Sequence, residues 1–168
     1  MFILFPITSI KFEKELNIYH NLFIFAARYL VMKSTYTICY FSKVSEDLSE
    51  EEIQEIFDHT NERNNELGVR GILLHSFGNF FQVLEGDEDY LTNLYDTKIK
   101  HDTRHHSVFE VINKESSKSL FEEYNSRFQT IQNREQLDEI KAYLKVHSIQ
   151  STTSDKLSRL LRSFIILD

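Results

Sequence analysis

The stretch "VRGILLHSFGNFFQVLEG", residues 69–86, reads as two strands folded back on each other around Ser76 to Asn79, with Gly78 in the turn. Its second half, "GNFFQVLEG" (78–86), sets a glutamine, Gln82, in the middle of an apolar strand. Side chains alternate along an extended strand, so Gln82 shares a face with Phe80 and Leu84, which are core residues by type. A polar group on that face needs a partner there.

The elements on either side fix the plan. Upstream, "TYTICYFS" (35–42) alternates and is rich in β-formers, so it predicts a strand. "LSEEEIQEIFDHTNERNNELG" (48–68) opens with Ser49 and Glu52 at capping-box spacing and predicts a helix ending before Gly68. Its stripe at three- and four-residue steps is Ile53, Ile56, Phe57, Thr60, Asn64 and Leu67, which puts Asn64 on the buried face. Downstream, "DEDYLTNLYDTKIKHD" (87–102) predicts a second helix, apolar at Tyr90, Leu91, Leu94 and Tyr95, with Lys98 continuing the stripe and acids in the first turn. "HHSVFEVINK" (105–114) predicts a fourth strand and "NSRFQTI" (125–131) a weaker fifth. Two short helical patterns, "NREQLDEIKAYLKVH" (133–147) and "SDKLSRLLRSFIILD" (154–168), follow. The order β-α-β-β-α-β plus a strand is an α+β, ferredoxin-like arrangement, a mixed sheet with two helices on one face and helices at the C-terminal end.

Composition narrows the partners. The 168 residues carry a formal charge of −7, the wrong sign for a phosphate-binding surface, so neither nucleic acid nor an acidic membrane is expected as partner. One cysteine, Cys39, cannot form an internal disulfide, which points to a reducing compartment, the cytoplasm. His101, His105 and His106 with Asp102 do not make a metal site, because adjacent strand residues point to opposite faces. Residues 1–32 hold the chain's one proline and a net charge of +1, leaving −8 for the remainder. Their apolar runs, "MFILFPI" and "LFIFAARYLVM", are too short to span a bilayer and lack the layout of a signal peptide. Two readings stand for them, a helical appendage on the domain or an extension upstream of a start at Met32. The expected organisation is thus an N-terminal extension (1–32), a domain over 33–131 and a C-terminal helical extension (132–168).

On the first strand Tyr40 has the parity of Ile38, so Tyr40, Gln82 and Asn64 converge on the space between sheet and helix pair. Each alone is met in ordinary cores, as a tyrosine tied to backbone, a glutamine beside a bulge or an asparagine at a helix end. Together they point to a ligand. Gln and Asn each pair a carbonyl acceptor with an amide donor, which matches the edge of a heterocycle, and a phenol can donate a hydrogen bond or an electron.

From Tyr36 to Ile131 the chain resembles the BLUF domains, blue-light sensors that hold a flavin. The resemblance is carried by "ICYFS", "RNNELGVRG", "GNFFQVLEG", "DTRHH" and a weaker "LFEEYNSRF", in that order. It implies a flavin, FAD or alternatively FMN, standing between the two helices on their side of the sheet. It implies that Tyr40 and Gln82 are photoactive, with Gln82 bridging the ring to Tyr40, and that Asn64 holds a carbonyl edge. It implies a further cofactor contact from Lys98, and from Arg104 and His105, which would pack the helix end and reach the flavin tail; Arg63, beside Asn64, either borders the ring or is a solvated helix residue. Blue light would then drive electron and proton transfer from Tyr40, rearrange the hydrogen bonds of Gln82 and shift the flavin absorption to the red, with no net reaction, so the chain is not expected to be an enzyme.

The departures lie near the fifth strand. The family commonly has Trp there and Met two residues later, whereas this chain has no tryptophan and offers Tyr124 and Ser126 as relay positions. Arg70 stands where Thr is usual, and a Lys, Lys98, where Arg is usual. Residues 132–168 are too short for a cyclase or phosphodiesterase, so the expectation is a short stand-alone sensor. Its last helices would pack on the sheet face away from the flavin and act through a homo-oligomer or an effector protein. The competing reading is a photochemically silent ferredoxin-like interaction domain.

Overall fold

The computed structural model describes residues 35–116, 118–121, 124, 127–147 and 151–164. The extension at 1–32 lies outside the described residues. Strand β1 (Thr35–Val44) is followed by helix α1 (Glu50–Glu66), the hairpin β2 (Arg70–Ser76) and β3 (Asn79–Gly86), and helix α2 (Glu88–Thr97). A 3₁₀ turn (Ile99–His101), strands β4 (His105–Ser116) and β5 (Phe128–Ile131), and helices α3 (Arg134–His147) and α4 (Thr152–Leu161) complete the order. The five strands form one sheet in the order β4-β1-β3-β2-β5, with β5 parallel to β2 and the other pairings antiparallel, the ferredoxin-like plan with an added edge strand.

Local chemistry explains the elements. Ser49 accepts from the Glu52 N–H at 3.3 Å while Glu52 accepts from the Ser49 N–H at 2.8 Å, the reciprocal cap the sequence predicts for α1. Asp87 caps α2 through the Tyr90 N–H at 3.1 Å. The β2–β3 turn puts both Phe77 (φ 48°) and Gly78 (φ 70°) in the left-handed region, the geometry of a tight hairpin that follows strand twist. Gly71 (φ 136°) permits no side chain, since a Cβ there would lie 1.9 Å from the Val83 carbonyl oxygen. At the far edge, Asn65 imitates a strand: its Oδ1 accepts from the Phe128 N–H at 2.8 Å and its Nδ2 donates to the Phe128 carbonyl at 3.2 Å, tying β5 to the end of α1.

The sheet separates two cores. On one face Ile38, Leu73, Phe80 and Leu84 pack with Ile53, Ile56 and Phe57 of α1 and Leu91 and Tyr95 of α2. On the other, Cys39, Ile72, Leu74, Phe81 and Val83 pack with Leu137, Ile140 and Leu144 of α3 and Leu157 and Leu161 of α4. The C-terminal helices therefore cover the face away from α1 and α2. The structure differs from the sequence pattern at some ends. Leu67, at the end of the α1 stripe, is exposed because the chain is already turning away from the helix there. α2 stops at Thr97, so Lys98 is its C-terminal cap and not a further stripe residue. β5 begins only at Phe128, which leaves Tyr124 ahead of the strand, and Ser126 lies outside the described residues.

Candidate functional site

Between the sheet and the helix pair is a cavity of about 590 Å³, within the usual range for a bound small molecule. Its lining brings together Tyr40, Arg63, Asn64, Gln82, Lys98, Arg104 and His105, all seven residues that the sequence marked for cofactor contact. β1 and β3 supply the floor. Tyr40 and Gln82 are partners across the β1–β3 ladder, both are buried, and the Tyr40 hydroxyl donates to Gln82 Oε1. Burial raises the Tyr40 pKa, with Tyr95 and Asp102 adding to the effect, so the phenol keeps its proton.

The walls come from α1 and α2. Asn64 is buried on the last turn of α1, and its Nδ2 is buried with no partner among the described residues. His105 is likewise left with a buried, unpartnered Nδ1, while its ring stacks over Tyr40 at a centroid distance of 6.2 Å. Burial lowers its pKa, against the pull of Asp102, so the imidazole is neutral near pH 7. The large majority of buried donors and acceptors in native proteins have a hydrogen-bond partner. Two buried nitrogens lining the cavity, one from α1 and one from β4, with no partner among the described residues therefore fit an occupant bearing hydrogen-bonding edges. A flavin ring has such edges, and the residues present fit it.

The lining also carries three basic side chains, Arg63, Lys98 and Arg104, two of them paired with carboxylates. Arg104 lies 2.6 Å from Asp102 in an ion pair, with its Nε also bonded to both carboxylate oxygens. The Asp102 pKa is lowered although desolvation opposes it, because Arg104 supplies side-chain and backbone donors. Arg63 is exposed and pairs with Glu66 at 3.3 Å. Tyr124 stands apart from the cavity, on the face of the C-terminal helices, with its ring 4.8 Å from that of Tyr143.

Sequence reasoning missed His59, Asn93 and Asp102 as lining residues. Asp102 entered the sequence reading only as a metal carboxylate, and its place two residues before Arg104 carried the better signal. Tyr95, 5.6 Å from Tyr40, was read only as part of an apolar stripe, yet burial and Glu110 push its pKa up to about 12.

Comparison with known proteins shows the family and the fold. The family profile described as BLUF, sensors of blue-light using FAD, matches residues 35–127. The blue light- and temperature-regulated antirepressor BluF of Escherichia coli (strain K12) is 27% identical over 132 residues, 77% of this chain and 32% of that protein. The chain thus spans about a third of this relative's length. The solved BLUF domain of BlrP1 is 29% identical with a TM-score of 0.61, over 79% of this chain and 90% of the other. Klebsiella pneumoniae BlrP1 with FMN and cyclic diGMP is 25% identical with a TM-score of 0.61, over 77% of this chain and 35% of that one. Among the described residues, no helix is long and apolar enough to cross a membrane.

Proposed function

Because the chain belongs to the BLUF family of blue-light sensors, we propose that it is a photoreceptor whose switch is the hydrogen-bonded pair of Tyr40 and Gln82. The observation that carries this reading is the donation from the Tyr40 hydroxyl to Gln82 Oε1 on the cavity floor, beside the unpartnered nitrogens of Asn64 and His105. A bound flavin supplies the blue absorption and an electron acceptor. Tyr40 holds a proton and an electron in reserve, its phenol kept neutral by burial. Gln82 offers an acceptor and a donor at opposite corners of one amide, so turning that amide, or moving its proton, reverses what it presents to its neighbours. Asn64 fixes the edge of the ring, and His105 fixes Tyr40 by stacking. A flavin held there would lie among residues of α1, α2 and the sheet, with Lys98 able to meet a phosphate as a point charge and Arg104, already bonded to Asp102, able to offer its planar guanidinium.

The cofactor in this reading is FAD, with FMN, which BlrP1 holds, as the competitor. Reversed-phase analysis of the released flavin separates them. Output is by contact with a homo-oligomer or an effector protein in the cytoplasm rather than by catalysis. The direct test is the absorption spectrum of the purified chain in darkness and after blue light. A flavin spectrum that shifts to the red and relaxes is expected. A colourless protein would favour the silent interaction domain instead, and a flavin spectrum that stays fixed would reject the switch.

A further inference from the structure

Tyr40 and Gln82 are partners on the β1–β3 ladder, and three rungs along the same ladder Thr37 faces Glu85. At about 3.3 Å per residue the two pairs are roughly 10 Å apart. An odd number of steps puts the second pair on the opposite face of the sheet. Thr37 and Glu85 are both fully buried there. A glutamate at this place is unexpected, since Phe81 and Val83 on the same face lie in an apolar core.

Four donors hold its carboxyl: the Leu120 N–H at 2.7 Å, the Phe121 N–H at 3.2 Å, the Ser119 hydroxyl at 2.6 Å and the Thr37 hydroxyl at 3.4 Å. Such a set fits an ionised carboxylate, which accepts and does not donate. Burial works against ionisation and raises the Glu85 pKa. Leu120 is engaged on its other side as well, because its carbonyl accepts from the Tyr143 hydroxyl of α3 at 2.6 Å. Carboxylate, N–H, carbonyl and phenol thus form a continuous bridge from the strand of Gln82 to the third helix. The ring of Tyr143 continues the contact along α3, 4.2 Å from His147.

We propose that Glu85 is a positioning residue that transmits displacement between β1 and β3 to α3 through Leu120 and Tyr143, making α3 the output element. The proposal rests on the sensor reading above. A change in the Tyr40–Gln82 bond alters how β1 and β3 are held together, and Thr37 and Glu85 are the next buried polar pair spanning the same two strands. The Thr37–Glu85 bond is the longest of the four and the first that such a movement changes. The backbone bonds from Leu120 and Phe121 move with the carboxylate, and Tyr143 follows.

The test uses the full chain with its flavin, measuring hydrogen–deuterium exchange of the α3 amides in darkness and under blue light beside the spectral shift. In the unmodified chain, light should change α3 exchange by about fivefold or more, the low end of ordinary coupling between sites. Glu85→Gln and Tyr143→Phe should each keep the red shift and lose that light dependence, and the double variant should lose no more than either single one. A red-shifting single variant with an undiminished light response in α3 would overturn the proposal. So would variants that change α3 exchange equally in darkness and light, the mark of a purely structural role. Tyr143→Phe keeps the aromatic packing, so the test stands even where Glu85→Gln fails to fold. An unmodified chain with no red shift would instead remove the sensor reading, and this proposal with it.

Discussion

On the cavity face of the sheet a buried polar pair, Tyr40 and Gln82, stands beside two buried nitrogens, Asn64 Nδ2 and His105 Nδ1, that find no partner among the described residues. On the other face a buried polar pair, Thr37 and Glu85, takes two further backbone N–H groups and a serine hydroxyl from the chain itself. Both pairs belong to the same two strands in the same register. The difference is one of completion. A site that waits for a ligand leaves hydrogen-bonding capacity open, whereas a structural junction fills it from within. The first arrangement can change partners under a stimulus, and the second can carry the change onward.

Substitutions should separate the two faces. Ile140, on α3, is fully buried in the core of the C-terminal helices. Ile140→Ala should destabilise the fold by about 2–5 kcal/mol, read by denaturant unfolding, while leaving the light-induced spectral shift in place. Loss of the shift in folded Ile140→Ala protein would show that the cavity depends on the opposite core. Asn64→Ala acts on the cavity side. It should weaken flavin binding by about tenfold, the worth of one hydrogen bond, with unfolding of the flavin-free chain little changed. Unaltered affinity in a flavin titration would remove Asn64 from the site.

A smaller effect is expected from pH. Burial holds the folded pKa of His105 below its ordinary 6.5. The unfolded chain therefore takes up the proton first, and His105's contribution to stability is lost as pH falls from 6.5 through the folded value. Asp102, held below its ordinary 3.8 chiefly by Arg104 against the opposing effect of burial, loses its contribution in a lower window. Glu85 has the opposite sign: its raised pKa favours the protonated folded form, so its contribution is full below the ordinary 4.5 and declines as pH rises through the folded value. Thermal unfolding between pH 7 and pH 5 should show falling stability that His105→Asn reduces, the half-buried His75, whose pKa burial also lowers, carrying a further part. An equal slope in that variant would assign the effect elsewhere.

Much of the cavity face was legible because its signals are local. The capping box dated the start of α1, three- and four-residue steps carried Asn64 to the buried side, and alternation did the same for Gln82 and Tyr40. The other face was less so. Glu85 looks like the polar end of a strand until the segment at 119–121, more than thirty residues on, folds over it. Asn65 reads as a second helix-end amide, and its grip on Phe128 exists only once β5 is placed. Asp102 and Arg104 are two residues apart, yet their pairing depends on the 3₁₀ turn that ends α2 at Thr97. Contacts across long sequence separations belong to the topology, and periodicity does not record them.

The central claim is that Gln82, buried among core residues, is the moving part of a light switch. The measurement that meets it most directly is the light-minus-dark absorption difference of Gln82→Leu, taken beside the unmodified chain. The account predicts that the variant still binds flavin, because Asn64 and the basic side chains Lys98 and Arg104 remain, and that its difference spectrum has no red shift. A red shift of ordinary size in Gln82→Leu would contradict it.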